Sequence, residues 1–197
     1  IQALVTDNEP LLAQQPGYLR SLEKLPPILG RALKGFGTRL RIAPLKVHLL
    51  IAGPDPADTA VLSVGPEKEY SLGENLYLTT FRSTDLGVAF LIEDQGELIY
   101  HAGDLNDWVW DEETEEYNEE MTRNYRRQIG LLAEKLRGRE IDTAFVVLDP
   151  RQEKDYWLGF DYTMRLTDIR QVFPMHSWEE FWITKKLLDD HRQLLSD

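Results

Sequence analysis

The chain has 197 residues, enough for one domain of ordinary size, and its net charge of −12 argues against nucleic acid as a partner. It contains no cysteine, which excludes disulfides and thiolate metal ligands and fits the reducing cytoplasm. Any transition metal would therefore bind to carboxylates and to some of the four histidines. No apolar run approaches the roughly 20 residues that a membrane-spanning helix needs, so no membrane partner is expected.

The first part of the chain has a composition of its own. Residues 1–50 carry seven Lys and Arg against three acidic residues, whereas the rest of the chain carries 15 against 31. Proline and glycine interrupt this part and leave room only for short helices near 18–24 and 27–34. We therefore predict that residues 1–45 form an atypical basic segment, poorly ordered or dependent on a partner, and that residues 46–197 form the folded domain.

Five short apolar runs follow, separated by glycine, proline, asparagine and aspartate. Each predicts a strand: 46–52, 59–64, 75–81, 87–93 and 97–102. The last two are joined by Asp94-Gln95-Gly96, which is typical of a tight turn, so they are predicted to form a hairpin. The first run contains His48, and a histidine inside a strand is more often structural than a ligand.

Helices and strands alternate in the second half of the chain. The predicted order is helix 115–137, strand 141–148, helix 154–166, strand 170–175 and helix 178–195. The first of these helices begins with acidic residues and carries its basic residues further along, which suits the helix dipole. A run of strands followed by this alternation predicts an α/β fold with layered sheet and helices.

Three polar side chains come directly after predicted strands: Asp104, Asp149 and His176. Functional groups of layered α/β proteins gather at such strand ends, on loops that the sheet holds in place. Each residue also has a simpler interpretation, because an aspartate there is often a turn former or helix N-cap, and a lone histidine is often structural. The nine carboxylates from Asp104 to Glu120 would likewise be a solvated helix start, unless some of them face a cation.

The ordered combination of these motifs resembles one protein family. The stretches STDLGVAF, IYHAGDLNDW, EYNEEM, AFVVLDPR and VFPMHSWEEF are similar to the second half of the metallo-β-lactamase superfamily, and most of all to small bacterial and archaeal metal-dependent hydrolases. The resemblance covers about residues 62–185. It implies a partial αββα sandwich, and hydrolysis of a small-molecule ester, amide, lactone or phosphoester by metal-activated water.

The resemblance also implies roles for single residues. Asp104 matches the aspartate that binds, and often bridges, the metals, so it is the implied catalytic residue. His176 matches a ligand of the second metal position, and Asp85 stands where the family usually has another histidine ligand. His101 and Asp149 would then orient these ligands. The implied metal is zinc, with manganese or iron as alternatives.

This assignment makes a geometric prediction. A single metal has bonds of about 2 Å, so Asp104 and His176 can share one only if their side chains lie within about 10 Å, even through a bridging water. We expect both side chains near Asp85 and Asp149, in a negatively charged cleft that has the tryptophans along one wall. Carboxylates gathered in this way repel one another, so at least one of their pKa values should be raised.

The sequence departs from the family in its first part. The family signature His-x-His-x-Asp-His is absent, and residues 1–45 stand in its place. Because the chain also begins with Ile1, we interpret this segment as truncated, recombined or frameshifted. Asp104, His176 and Asp85 supply at most three ligands for two metal positions, whereas a catalytic zinc needs three protein ligands and a water.

Two functions remain open at this stage. One is a metal-dependent hydrolase whose activity is impaired by the incomplete site. The other is a non-catalytic remnant or interaction domain that needs a partner or its missing N-terminus. In either case the missing early strands of the sandwich predict an exposed sheet edge, through which the chain could form a homo-oligomer.

Overall fold

The computed structural model describes residues 37–43, 46–52 and 60–190, with side chains from residue 64 to 190. The chain forms two compact units, Ile1–Gly65 and Pro66–Asp197. The short helices predicted over residues 18–24 and 27–34 lie outside the described residues.

The first unit contains an antiparallel sheet of three strands in the order β1 (Gly37–Ala43), β2 (Lys46–Ala52) and β3 (Ala60–Val64). The strands predicted over 46–52 and 59–64 are confirmed, whereas β1 falls inside the segment predicted to be poorly ordered. Its seven residues pair with β2 from Gly37↔Ala52 to Ala43↔Lys46. This pairing places β1 in the same compact unit as β2 and β3.

The second unit is built on a sheet of six strands, which run in chain order across it: β4 (Glu69–Ser71), β5 (Leu76–Arg82), β6 (Val88–Asp94), β7 (Glu97–His101), β8 (Thr143–Val147) and β9 (Val172–Met175). Pairs from β4 to β7 are antiparallel, and β7, β8 and β9 pair in parallel. The predicted hairpin is confirmed as β6 and β7, with Gln95 and Gly96 at φ 52° and 92° in its turn. The chain is therefore a mixed α/β protein, as predicted.

The helices of the second unit are α1 (Glu115–Leu136), a short 3-10 helix (Pro150–Asp155), α2 (Leu158–Leu166) and α3 (Trp182–Asp190). The Thr114 side chain caps α1 by accepting a hydrogen bond from the Tyr117 N–H, and Arg137 ends the helix in the left-handed conformation. Residues at helical spacing bury one face of α1: Tyr125, Gln128, Ile129, Leu132 and Leu136.

The last helix begins later than the sequence predicts. Helix was expected from residue 178, but α3 starts at Trp182. The reason is local, because His176, Trp178 and Glu179 all have positive φ angles of 68°, 49° and 67°. Residues in this left-handed region cannot continue a right-handed helix. The predicted extension beyond Asp190 lies outside the described residues.

The two faces of the six-stranded sheet are buried differently. One face packs with α1, α2 and α3 into a core that includes Leu98, Tyr100 and Val146. The other face carries a row of cross-strand neighbours, in the order Phe90, His101, Phe145 and Phe173. Phe90 and Phe145 are buried, and the His101 and Phe145 rings lie 5.5 Å apart. The sheet is thus apolar on both faces, as expected for strands in a layered fold.

The outer strands of this sheet have features that disfavour edge pairing. Strand β4 is only three residues long, and β9 contains Pro174, which cannot donate a backbone hydrogen bond. Self-association through an exposed edge stays a prediction. Among the described residues, no helix is both long enough and apolar enough to cross a bilayer.

Candidate functional site

The topology brings the predicted site residues to one edge of the six-stranded sheet. Strands β7, β8 and β9 are adjacent and parallel, so Asp104, Asp149 and His176 follow strand ends at the same edge. Strand β5 runs in the same direction, because it is antiparallel to β6 and β6 is antiparallel to β7. The loop after β5, which carries Asp85, therefore opens at this edge as well.

Asp104 is placed by a tight turn after β7. Gly103 has a φ of 57°, and a Cβ atom there would lie 2.7 Å from the carbonyl oxygen of Val88. Only glycine allows the chain to pass so close to β6 and turn at once toward the site. Nδ1 of His101 accepts a hydrogen bond from the Gly103 N–H at 3.0 Å and so supports the same turn.

His101 lies apart from the other predicted residues. Its ring faces Phe145 on the opposite side of the sheet from the helices, and burial lowers its pKa to about 4. Among the described residues its Nε2 atom has no hydrogen-bond partner. His101 therefore touches the site through the backbone of the Gly103 turn and not through a carboxylate.

Asp104, His176 and Asp149 lie together, as the sequence predicts. Nε2 of His176 is 3.4 Å from Oδ1 of Asp104, well within the predicted limit, and its Nδ1 is 2.8 Å from Oδ2 of Asp149. Burial acts to lower the pKa of His176, but hydrogen bonds to Asp104 and Asp149 raise it to about 9. The imidazole is thus held at both nitrogens by carboxylates.

Asp149 is the centre of the hydrogen-bond network. It is fully buried, and it accepts hydrogen bonds from the backbone N–H and the guanidinium of Arg151, from Nδ1 of His176 and from Nε1 of Trp178. Burial opposes its ionisation, but the His176 and Arg151 hydrogen bonds hold the pKa of this carboxyl well below its usual range. Asp149 is also the N-cap of the 3-10 helix, so the simpler interpretation of this residue is correct at the same time.

The Asp85 loop is tied to the Asp104 loop by Thr84. The Thr84 hydroxyl donates to the carbonyl of Asn106 at 2.6 Å and accepts from the Asn106 N–H at 3.0 Å. Partial burial and the neighbouring charge of Asp104 raise the pKa of Asp85, against the opposing charges of His176 and Arg151. One of the clustered carboxylates thus has the raised pKa that the sequence predicts.

A buried amide network supports the Asp104 loop from below. The Asn106 side chain donates to Oε1 of Gln152 at 2.6 Å, and the Gln152 amide donates to the backbone carbonyl of Asp107 at 2.7 Å. A Cβ atom at Gly159 would lie 2.0 Å from Oδ1 of Asn106. Helix α2 therefore packs against this network so closely that only glycine fits.

Asp107, which is buried beside this network, gives a prediction for pH dependence. Its Oδ1 accepts a hydrogen bond from the Thr122 hydroxyl, yet burial raises its pKa above the ordinary value. The folded protein therefore binds the Asp107 proton more tightly than the unfolded chain does, where the pKa is about 3.9. This stabilisation of the folded state is complete below the unfolded pKa, and it is lost as the pH rises through the higher folded pKa. Asparagine has no such proton to lose. The free energy of unfolding of Asp107→Asn, minus that of the unaltered protein, should therefore be larger at pH 7 than at pH 4.

Urea denaturation at both pH values measures this change. Asp111→Asn is the control, because Asp111 belongs to the same acidic stretch but is exposed. A difference between the Asp107 variant and the unaltered protein that stays constant from pH 4 to pH 7 would contradict the prediction.

An aromatic wall stands beside His176, as expected for the tryptophans. Trp108 lies 5.4 Å from the His176 ring and stacks on Trp110 at 5.8 Å, and Trp178 meets His176 edge-on at 5.4 Å. The guanidinium carbon of Arg151 lies 4.6 Å from the Trp178 ring centre and 5.8 Å from that of Trp110. Of these groups, Arg151, His176 and Trp178 contact the buried carboxylate of Asp149 directly.

Most of the acidic stretch does not take part in the site. Of its nine carboxylates, seven are exposed, on the loop before α1 and in its first turns: Asp111, Glu112, Glu113, Glu115, Glu116, Glu119 and Glu120. There they suit the positive end of the helix dipole. Only Asp104 and Asp107 turn inward, so the solvated interpretation holds for the rest.

The His176 and Asp104 pair fits a metal ion in its geometry. Two ligands about 2.1 Å from a tetrahedral zinc lie about 3.4 Å apart, which matches the separation of Nε2 and Oδ1. A carboxylate on the other imidazole nitrogen, here Asp149, is the usual support of a metal-binding histidine. The set is incomplete, however, because no cluster of three or more such ligands is formed by the part of the chain that the structure describes.

One residue of the site was not predicted from the sequence. Arg151 holds Asp149 through its guanidinium. The sequence Asp-Pro-Arg carried a signal for it, because an arginine two residues after an N-cap can fold back onto that N-cap. Compared with protein-family models, curated proteins and solved structures, the chain has no match.

Proposed function

We propose that the protein is a metal-dependent hydrolase of the metallo-β-lactamase type. The observation that carries this proposal is the 3.4 Å separation of His176 Nε2 and Asp104 Oδ1, with Asp149 fixed on the opposite nitrogen of the imidazole. Zinc is the metal we expect, with manganese or iron as alternatives. The bond that is broken would belong to an ester, amide, lactone or phosphoester.

Each residue has a definite part in the proposed site. Asp149 accepts the Nδ1 proton of His176, which fixes the ring orientation and leaves Nε2 to face the metal position. Asp104 supplies an anionic ligand, and Asp85, whose pKa is raised by burial and by the neighbouring charge of Asp104, is the candidate third ligand. Zinc held there would provide hydroxide near neutral pH, since it lowers the pKa of a bound water to about 7.

The architecture of the second unit supports the same proposal. An αββα sandwich needs a sheet with helices on one face and an apolar second face. The six-stranded sheet meets both requirements, with α1 in the core on one side and the row from Phe90 to Phe173 on the other. Its parallel strands β7, β8 and β9 also deliver the three site residues to one edge.

A second candidate function rests on the incomplete ligand set. The described residues provide a pair and not a cluster of three metal ligands, and that favours a non-catalytic domain that needs a partner to complete the site. Such a domain would keep the His176 and Asp149 contact as a structural element. Metal binding by the isolated chain distinguishes the two functions.

The test is metal content after incubation with equal amounts of zinc, manganese and iron(II), followed by desalting and elemental analysis. We expect about one equivalent of zinc in the unaltered chain and a loss of most of it in Asp104→Ala. Asp111→Ala is the matched control, because that aspartate is exposed and pairs only with Lys154 among the described residues. Equal, near-zero zinc in all three proteins would reject the hydrolase and leave the non-catalytic domain.

A further inference from the structure

Trp178 is an exposed aromatic residue in an unusually constrained position. It is 60 % exposed, although a tryptophan that packs into a core would be mostly buried. Its backbone is left-handed with a φ of 49°, between His176 and Glu179, which are left-handed too. Such conformations cost about 1–3 kcal/mol each in non-glycine residues and cluster at functional sites.

Three contacts fix the Trp178 ring. Its Nε1 donates to Oδ2 of Asp149 at 3.2 Å, its edge meets the His176 ring at 5.4 Å, and one of its faces is covered by the Arg151 guanidinium at 4.6 Å. Because that face is covered while most of the residue is exposed, the opposite face is open to solvent. The ring is therefore a rigid apolar surface directly beside the His176 and Asp104 pair.

The surroundings favour a neutral ligand on this surface over an anionic one. Nε and Nη2 of Arg151 are engaged by Asp149, and that buried carboxylate balances the guanidinium charge. The carboxylates of Asp85 and Asp104 are also in reach of Arg151, and they repel anions. The other cationic group of the site, the His176 imidazole, is held between Asp104 and Asp149. An uncharged planar group is not repelled by these carboxylates, and stacking on the indole stabilises its binding.

We propose that the open face of Trp178 is a substrate subsite that binds a planar, uncharged aryl or acyl group next to the bond to be broken. The substrates would then be neutral aryl or aromatic acyl esters, amides or lactones in preference to phosphoesters. This inference rests on the proposed hydrolase for its link to catalysis. Its binding step needs neither metal nor turnover and can be tested by itself.

The test uses the full chain, freed of metal by a chelator, and three probes: 2-naphthol, which is planar and neutral, cyclohexanol, which is not planar, and 2-naphthoate, which is planar and anionic. The chain has five tryptophans, and each gives one indole N–H signal in a ¹⁵N correlation spectrum. The signal lost in Trp178→Phe identifies Trp178. We expect 2-naphthol to shift this signal in a saturable way and to bind more tightly than either of the other probes.

The fluorescence anisotropy of 2-naphthol then gives its Kd for the variants. Trp178→Ala should weaken binding roughly 3- to 10-fold, the range for loss of one aromatic stacking partner. Trp178→Phe keeps a ring face and should bind nearly as well as the unaltered chain, which separates stacking from a folding defect. Trp182→Ala is the matched control, because Trp182 is similarly exposed but its Nε1 donates to Glu180 and not to Asp149.

Each outcome decides the proposal. Saturable 2-naphthol binding that depends on Trp178 supports the subsite. A chain that takes up no zinc but binds 2-naphthol in this way would reject the hydrolase and keep the subsite. Equal 2-naphthol affinity in Trp178→Ala and Trp182→Ala overturns the subsite, even if esters are hydrolysed. Tighter binding of 2-naphthoate than of 2-naphthol also overturns it, in favour of an anion site at Arg151.

Discussion

Replacing Asp104 with asparagine is expected to lower kcat/KM for hydrolysis of an aryl ester about a thousandfold in zinc-loaded protein. Asparagine keeps the shape of the side chain but removes the anionic ligand, so the proposed site loses both metal affinity and the charge that balances the metal. Stabilisation by a metal is worth several kcal/mol, and each 1.4 kcal/mol is about a factor of ten in rate. Initial rates at fixed zinc concentration give the measurement.

The fold should survive this change, which makes the result interpretable. The Asp104 side chain is partly exposed, and the contact that locks its loop is donated by Trp108 Nε1 to the Asp104 backbone carbonyl, which asparagine retains. Asp111→Asn is the control for the loss of one negative charge. A variant at Asp104 that keeps more than a tenth of the activity would exclude this residue from the reaction.

The second large effect is expected in stability. Asp149→Asn should lower the free energy of unfolding by about 3 kcal/mol and Tm by roughly 6–12 °C, because removal of one partner from a buried ion pair leaves the others unsatisfied. The new amide NH₂ would face N–H groups of Arg151, His176 and Trp178, all of which need an acceptor. The estimate lies at the low end of the usual range because Arg151 is half exposed.

A matched control exists on α2. Asp161 makes a two-pronged contact with Nε of Arg165 at the protein surface, and surface pairs contribute about 0–1 kcal/mol. Asp161→Asn should therefore change Tm by a few degrees at most. Equal losses for the two variants in thermal and urea unfolding would show that Asp149 is not the organising group of the site.

Much of the second unit could be predicted from the sequence. Apolar runs bounded by turn residues located strands β5 to β9 to within one or two residues, whereas the three-residue β4 was not predicted. The left-handed residues Gln95 and Gly96 closed the predicted hairpin. The ends of adjacent parallel strands then placed Asp104, Asp149 and His176 near one another. Each of these inferences depends on local pattern, where hydrophobic periodicity and turn chemistry are strong signals.

What the sequence did not show depends on contacts between distant residues. Strand β1 was missed because prolines and glycines surround it, whereas pairing with β2 is what orders it. The late start of α3 follows from positive φ angles at His176 and Trp178, and these two side chains meet the buried carboxylate of Asp149. The distance from Asp85 to the other proposed ligands likewise cannot be predicted from the sequence, because their loops follow strands that are far apart along the chain.

Anomalous diffraction from zinc-soaked crystals, recorded on both sides of the zinc absorption edge, tests most directly whether Asp104 and His176 bind one metal. The account predicts a peak about 2.0–2.2 Å from both His176 Nε2 and Asp104 Oδ1, with Asp149 still on His176 Nδ1. The same peak should disappear in Asp104→Ala crystals. A zinc peak elsewhere, or none at this edge of the sheet at saturating zinc, would contradict it.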